Sequence, residues 1–357
     1  MNRIVSTLSW IGFAVAGTMS ISLPAVAEFP MLTSEEELRQ PGAKGHLDDI
    51  WNNAKVGTFD GVGGLKLHYR LFSPGTSDKR GAIVVVNGRT ESVVKYAELA
   101  QDLVQNGYSV FMYDHRGQGL SDRLRKTKDQ PQLGYVDEFQ DYVSDLQTFV
   151  DTLVKPLTET TKRYLLAHSM GGAISALYLE RANGFFSAAV LSSPMLQIGR
   201  EVMGHELKCE AVDIKSYFGE LKVPGGKAAA YKSEPFAKNA YTHSQVRYNI
   251  MVDAFSKNQD AQLGGASLHW AAQACSAARK AREDGARIGI PVLVIQAGKD
   301  QIVENAGQNM FCDNVNSRSP GRCKLLVIEE ANHELFIESD TFRTPALRNA
   351  LQFFEQF

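Results

Sequence analysis

Ser169 stands in Ala167-His168-Ser169-Met170-Gly171-Gly172, directly after the apolar run Tyr164-Leu165-Leu166. An apolar run that meets small residues and then a helix-compatible stretch predicts a strand turning sharply into a helix. A serine at such a joint projects its hydroxyl from a strained turn, with the positive end of the helix behind it. A hydroxyl is a weak nucleophile, so it needs a base and a group that orients the base. His333, in Asn332-His333-Glu334, offers an imidazole to take the proton from Ser169 and return it to the leaving group. Asp300, in Gly298-Lys299-Asp300-Gln301, offers a carboxylate to fix the tautomer of His333 and stabilise the imidazolium. Together the three could perform acyl transfer through a covalent intermediate. The oxyanion formed on the way needs donors. The amide of Met170 is one candidate. The amide of Arg89, in Val86-Asn87-Gly88-Arg89-Thr90, is the other, because Gly88 lets the backbone turn back there.

Plainer readings exist for each residue. Ser169 could be an ordinary turn serine, Asp300 a loop carboxylate, His333 a surface histidine, and the Arg89 side chain a solvated charge. Glu304, Glu329, Glu330 and Glu334 compete with Asp300 as the acid. Ala167 stands where the elbow pattern has glycine; the residues two before and two after the serine should be small because they pass close together. Against coincidence stands the order serine, acid, histidine, each just beyond a strand end, where catalytic groups collect in open parallel sheets. His115, His168, His243 and His269 read as structural, with His168 pointing the other way along its strand.

The elements that would position these groups follow from periodicity. Residues 28 to 55 form a polar leader with apolar anchors. A hairpin follows, with arms at 55–59 and 65–71 and a turn at 60–64. Strands are predicted at 82–86, 109–113, 164–167, 188–191, 291–295 and 324–328. Helices are predicted at 91–106, 137–154, 171–183 and 342–356. Strict alternation of strand and helix means a mostly parallel sheet with helices on both faces. The alternation lapses between 196 and 280, where Tyr217, Phe218, Tyr231, Phe236, Tyr241, Tyr248 and Phe255 are scattered. The fold expected is α/β, of the α/β-hydrolase type, with residues 28–195 and 281–357 as core. Residues 196–280 form a helical cap inserted after the sixth strand, and their aromatics can wall an apolar tunnel.

Bulk properties narrow the function. The 357 residues carry a net charge of -2, with no basic run to meet nucleic acid. Residues 1–27 read as an export signal: Arg3, an apolar stretch from Ile4 to Leu23, then Ala25-Val26-Ala27 as a cleavage site. The plainer reading is an uncleaved anchor, weakened by Ser6, Ser9, Thr18 and Ser20. Export to the periplasm or beyond fits four cysteines paired as disulfides. Short spacing favours Cys312 with Cys323, which leaves Cys209 with Cys275. No C-x-x-C pair is present and no ligand cluster is spaced for a metal, so neither metal nor cofactor is expected.

The chain resembles the bacterial lysophospholipase group of the monoacylglycerol-lipase-like α/β-hydrolases. The resemblance rests on Asn87 to Ser92 with Lys95 to Leu99, on Asp114-His115-Arg116-Gly117-Gln118-Gly119-Leu120-Ser121, and on Ala167 to Gly172. It extends to Thr242-His243-Ser244 with Arg247-Tyr248, Gly264-Gly265 with His269-Trp270, and Asn332-His333-Glu334. It implies hydrolysis of the acyl ester of a lysophospholipid or a monoacylglycerol, under a lid, with transient contact at a membrane surface. The same triad also serves broad carboxylesterases, thioesterases and peptidases. A different class is a non-catalytic binding protein on this fold, which as a rule lacks a triad member.

Overall fold

The computed structural model describes residues 30–75, 80–159, 161–181, 184–199, 209, 220–223 and 230–357. The expected export signal at 1–27 lies outside them, as do Tyr217 and Phe218 of the insertion. Eight strands form one sheet: β1 (Lys55–Asp60), β2 (Lys66–Phe72), β3 (Gly81–Val86), β4 (Tyr108–Tyr113), β5 (Arg163–His168), β6 (Ala188–Ser192), β7 (Val292–Ala297) and β8 (Cys323–Ile328). Their order is β1-β2-β4-β3-β5-β6-β7-β8. The β1–β2 and β2–β4 pairings are antiparallel, and every later pairing is parallel.

The strand sequences explain the placement. β3, β6 and β7 are buried along their whole length and are almost continuously apolar, as strands covered on both faces must be. β8 carries Lys324 and exposed Leu325 and forms an edge. One face of the sheet packs against Phe149, Ile174, Leu177, Trp270 and Phe311. The other packs against Tyr96, Leu103, Leu347, Leu351 and Phe354. Full burial of each such side chain stabilises by about 1.5–3 kcal/mol.

The leader docks as the apolar anchors suggested. It forms helices Glu35–Arg39 and Ala43–Asn52, with Leu38 and Leu47 buried. The Thr33 hydroxyl donates to Asp102 at 2.6 Å, and the Met31 amide to Asn106 at 2.9 Å.

Two predicted helices are interrupted. The one at 91–106 is a turn, a 3₁₀ segment at Val93–Lys95 and then an α-helix only from Ala97 to Gln105. The cause is Asp114, whose carboxylate takes the Val93 amide at 2.7 Å and the Ser92 hydroxyl at 3.0 Å. The one at 137–154 is α-helical over Phe139–Phe149 and widens into a π-helical turn at Val150–Val154. Pro156 follows, and its missing N–H removes a donor to the preceding turn.

The segment between β6 and β7 contains helices Gln245–Lys257 and Leu268–Asp284. The second begins inside the expected insertion yet packs in the main core. Ala271, Ala274, Ala277 and Ala281 are buried in the same apolar cluster as Ile174 and Leu177, and such small side chains let helices approach closely. Both expected disulfides are present, Cys209–Cys275 and Cys312–Cys323. The first closes 66 residues of chain and the second 11. Loop closure of those sizes contributes about 4 and about 3 kcal/mol in the chain-entropy model. Among the described residues no helix is long and apolar enough to cross a membrane.

Candidate active site

Ser169 is the hinge between β5 and the helix Met170–Leu179. Its φ of 50° and ψ of -117° lie in a region side chains avoid, at a cost of about 1–3 kcal/mol. Hydrogen bonds on both sides hold it there. The Ser169 amide donates to Ser192 O at 3.1 Å, and Ser169 O accepts from Met195 N at 2.8 Å and Gly172 N at 2.9 Å. A Cβ on Gly171 would lie 2.2 Å from the carbonyl oxygen of Val86 and 2.5 Å from that of Asn87. The crowding at the elbow thus comes from the end of β3. None of the three nearest atoms belongs to Ala167, which explains why a methyl is tolerated at that position.

Asp300 reaches the site from the end of β7 and His333 from the end of β8, two and three strands along the sheet from β5. His333 Nε2 is 2.9 Å from Ser169 Oγ, and His333 Nδ1 is 2.7 Å from Asp300 Oδ2. With Nδ1–H donating to the carboxylate, Nε2 is left to accept the serine proton. Asp300 is locked by its other oxygen, which takes the amides of Ile302 and Val303 at 2.8 and 3.0 Å. The two loops are sewn together where Lys299 N donates to Ala331 O at 2.9 Å. All three side chains are buried, so their mutual polarity acts with little screening from water.

The turn after β3 passes over the serine. A Cβ on Gly88 would lie 3.0 Å from Ser169 Cβ. Neither the Arg89 amide nor the Met170 amide finds an acceptor among the described residues. Both stand on segments that border Ser169, so both are available to a new oxyanion. The loop after β4 buttresses this turn. His115 Nε2–H donates to Asn87 O at 3.0 Å, and Gln118 Nε2 donates to Gly88 O at 2.8 Å. Burial pushes the His115 pKa down to about 4, so the ring is neutral at neutral pH. Burial pushes Asp114 up to about 6, despite the hydrogen bonds it receives from Leu120, Val93 and Ser92. This turn is where the resemblance placed Asp114 to Ser121, and its task here is support.

A cluster of buried charges lies behind the histidine. Lys95 Nζ is 2.8 Å from Glu334 and 3.1 Å from Glu91. His168 Nε2 is 3.3 Å from Glu91 and 3.4 Å from Glu334. Glu91 also takes the Gly88 amide at 2.7 Å. Burial disfavours a charged His168, but the two carboxylates outweigh it and raise its pKa. Burial likewise opposes a charged Glu334, but Lys95 and His168 hold its carboxyl well below the usual range. Glu91, His168 and Glu334 offer ligand atoms within 4.8 Å of one another. The Lys95 ammonium already neutralises that space, so a dication there would meet a buried like charge.

Residues 77–340 match the family described as serine aminopeptidase, S33. The chain belongs to this serine aminopeptidase family. It is 34% identical to lysophospholipase L2 of Escherichia coli over 87% of this chain and 91% of that protein. It is 29% identical to the monoacylglycerol lipase of Mycolicibacterium smegmatis, over 79% of this chain and 91% of the other. Among solved structures, a soluble variant of monoglyceride lipase from Saccharomyces cerevisiae matches with a TM-score of 0.66. It covers 85% of this chain and 94% of the other at 20% identity, which speaks for the fold alone.

Within this serine aminopeptidase family member, the candidate residues named from sequence come together. Ser169, His333 and Asp300 form one hydrogen-bonded row, with Arg89 and Met170 beside it. Glu334, a rival for the acid role, pairs with Lys95 instead. Glu304, Glu329 and Glu330 make no contact with His333 in the described structure; Glu330 pairs with Lys299. His168, expected to be structural, lies outside the hydrogen-bonded row, beside Glu91 and Glu334 and 4.8 Å ring to ring from His333. Sequence reasoning missed the Lys95 cluster. The signal was there: a lysine inside Val93-Val94-Lys95-Tyr96, four residues after Glu91.

Proposed function

We propose that this protein hydrolyses the acyl ester of a single-chain lipid, a lysophospholipid or a monoacylglycerol. The single observation that carries the chemistry is His333 bridging Ser169 and Asp300 at 2.9 and 2.7 Å. Ser169 Oγ attacks the ester carbonyl while His333 Nε2 takes its proton. The oxyanion is met by the amides of Arg89 and Met170. Collapse expels the glycerol-side alcohol, protonated by His333, and leaves an acyl-serine. Water, deprotonated by His333, then releases the fatty acid and regenerates Ser169. Asp300 keeps the imidazole oriented and offsets its charge in both steps.

The lipid assignment is supported by the relatives named above and by the insertion after β6. Residues 196–280 serve as cap, with the helix Leu268–Asp284 as its anchor in the core. Arg247 fixes the near end: it is buried and ion-paired with Glu98, and Nη1 donates to Glu338 O at 2.7 Å. Residues 1–27 direct export, so the protein works in the periplasm or outside the cell, in transient contact with a membrane surface. Cys209–Cys275 and Cys312–Cys323 are compatible with that oxidising setting.

Ser169→Ala should lower turnover on the order of a million-fold, with an unchanged melting temperature. A fluorophosphonate should label the unaltered chain at Ser169 and leave the variant unlabelled. The deciding assay is a substrate panel of lysophospholipids, monoacylglycerols, acyl-CoA, short nitrophenyl esters and aminoacyl anilides. Preference for short esters or anilides would refute the lipid reading. Full turnover by the Ser169→Ala chain would refute the mechanism.

A further inference from the structure

We propose that the Arg89 guanidinium binds the phosphate of the substrate's leaving group, so that the site favours a lysophospholipid over a neutral monoacylglycerol. This rests on the lipid-ester reading and narrows it.

Arg89 starts from the turn that passes over Ser169, so its side chain begins where the ester carbonyl must sit. From there Nη2 donates to Gly264 O at 2.7 Å, and the guanidinium carbon lies 4.9 Å from the centre of the Trp270 ring. Nε is buried and has no partner. Among the described residues no carboxylate lies within ion-pair distance of it. Arg89 is half-buried, with its Nε enclosed. The fully buried cations among the described residues are paired: Arg116 with Asp145, Arg247 with Glu98, Arg343 with Asp102, and Lys95 with Glu334. A partly desolvated charge without a counter-ion costs stability, and a bound anion would offset that cost. Burial lowers the Arg89 pKa to about 10, with only the phenols of Tyr142 and Tyr241 supporting the charge. It remains cationic at neutral pH.

The surroundings leave room for that head. A Cβ on Gly134 would lie 2.5 Å from Arg89 Nη2, so the glycine clears the space the guanidinium fills. Guanidinium is a planar donor suited to phosphate oxygens. In a lysophospholipid the ester oxygen, the glycerol carbons and one phosphate oxygen separate the reacting carbonyl from phosphorus. An extended arginine side chain has a comparable reach from its own amide. One residue can therefore meet the oxyanion through its backbone and the phosphate through its side chain. The fatty-acid carboxylate is a poorer occupant, because it forms at the oxyanion amides themselves.

The test compares kcat/KM for lauroyl lysophosphatidylglycerol with that for monolauroylglycerol. Arg89→Gln should lower the ratio of the two by about ten- to a hundredfold, the range for loss of a charge-assisted contact. Equal loss on both lipids would overturn the inference and leave Arg89 as a support for the turn. On the unaltered protein, dodecyl phosphate should inhibit competitively and more strongly than dodecanol. Equal inhibition would overturn the inference even if Arg89→Gln fails to fold. If the unaltered protein cleaves short esters and neither lipid, the lipid-ester reading itself has failed.

Discussion

Two cations flank the oxyanion turn, Lys95 buried and Arg89 half-buried, and they are treated in opposite ways. Lys95 is enclosed by Glu91 and Glu334 at 3.1 and 2.8 Å, with the His168 ring beside both carboxylates. Arg89 has a backbone carbonyl, an aromatic face and no carboxylate among the described residues. The first arrangement is self-sufficient. It ties the turn at Gly88 to the loop of His333, because Glu91 holds the Gly88 amide and Glu334 adjoins the histidine. The second is incomplete until an anion arrives. A buried charge with partners serves the fold; a half-buried charge without a carboxylate, at the edge of a nucleophile, is free to meet an anion.

The comparison breaks most easily at Lys95. Lys95→Met would leave two buried carboxylates facing His168 alone. Removing one partner from a buried ionic group costs about 3–5 kcal/mol, so the urea midpoint should fall sharply. The double change Lys95→Met with Glu334→Gln removes one of those carboxylates and should recover part of that loss. A single change that costs under about 1 kcal/mol would show that Lys95 is not the keystone of the cluster.

These two cations also mark the limit of what the sequence makes legible. The strands themselves and the row Ser169, His333, Asp300 follow from local signals. Each residue sits just past an apolar run, and parallel strands bring such ends to one edge. Cysteine pairing follows from the short spacing of Cys312 and Cys323. The Lys95 cluster is harder to see because its members are remote: Glu91 and Lys95 precede β4, His168 ends β5, and Glu334 follows β8. Glu91 and Lys95 fall inside the single helix expected over 91–106, and the Asp114 carboxylate that breaks that helix lies in a different element. Arg89 read as a solvated charge for the same reason. Only the folded chain places Gly134, Gly264 and Trp270 around it.

A gentler test uses pH. His168 has its pKa raised in the folded state, so its charged form stabilises the cluster. That contribution is complete below the ordinary histidine value near 6.5 and fades as pH rises through the folded value. Glu334 works in the other direction: its depressed pKa stabilises above the usual carboxylate range and fails as pH falls through the folded value. His168→Gln should therefore narrow its stability gap to the unaltered protein as pH climbs above about 6.5. Denaturant melts between about pH 6 and pH 9 would measure the gap from just below that crossing to well above it. A gap that stays constant would mean that His168 is neutral throughout, and that Lys95 alone balances the two glutamates.

The smallest effect expected comes from Gly134→Ala, and it isolates the Arg89 head from the Arg89 amide. Gly134 has no left-handed φ, so its backbone accepts alanine without strain. The nearest obstacle to the new methyl is Arg89 Nη2, the far end of a flexible side chain. The guanidinium should shift by a fraction of its length while the turn at Gly88 and the hydrogen bond from Gly134 N to Gly265 O at 2.9 Å stay in place. Stability should then change by less than about 0.5 kcal/mol, as for a substitution that strains nothing. The ratio of lysophosphatidylglycerol to monolauroylglycerol turnover should still fall, by about two- to fivefold, since a displaced charge keeps part of its attraction. If the methyl leaves that ratio alone while Arg89→Gln lowers it, the phosphate sits on the side of the guanidinium away from Gly134. If neither variant moves the ratio, Arg89 and Lys95 differ in partners but not in purpose, and both belong to the scaffold of the turn.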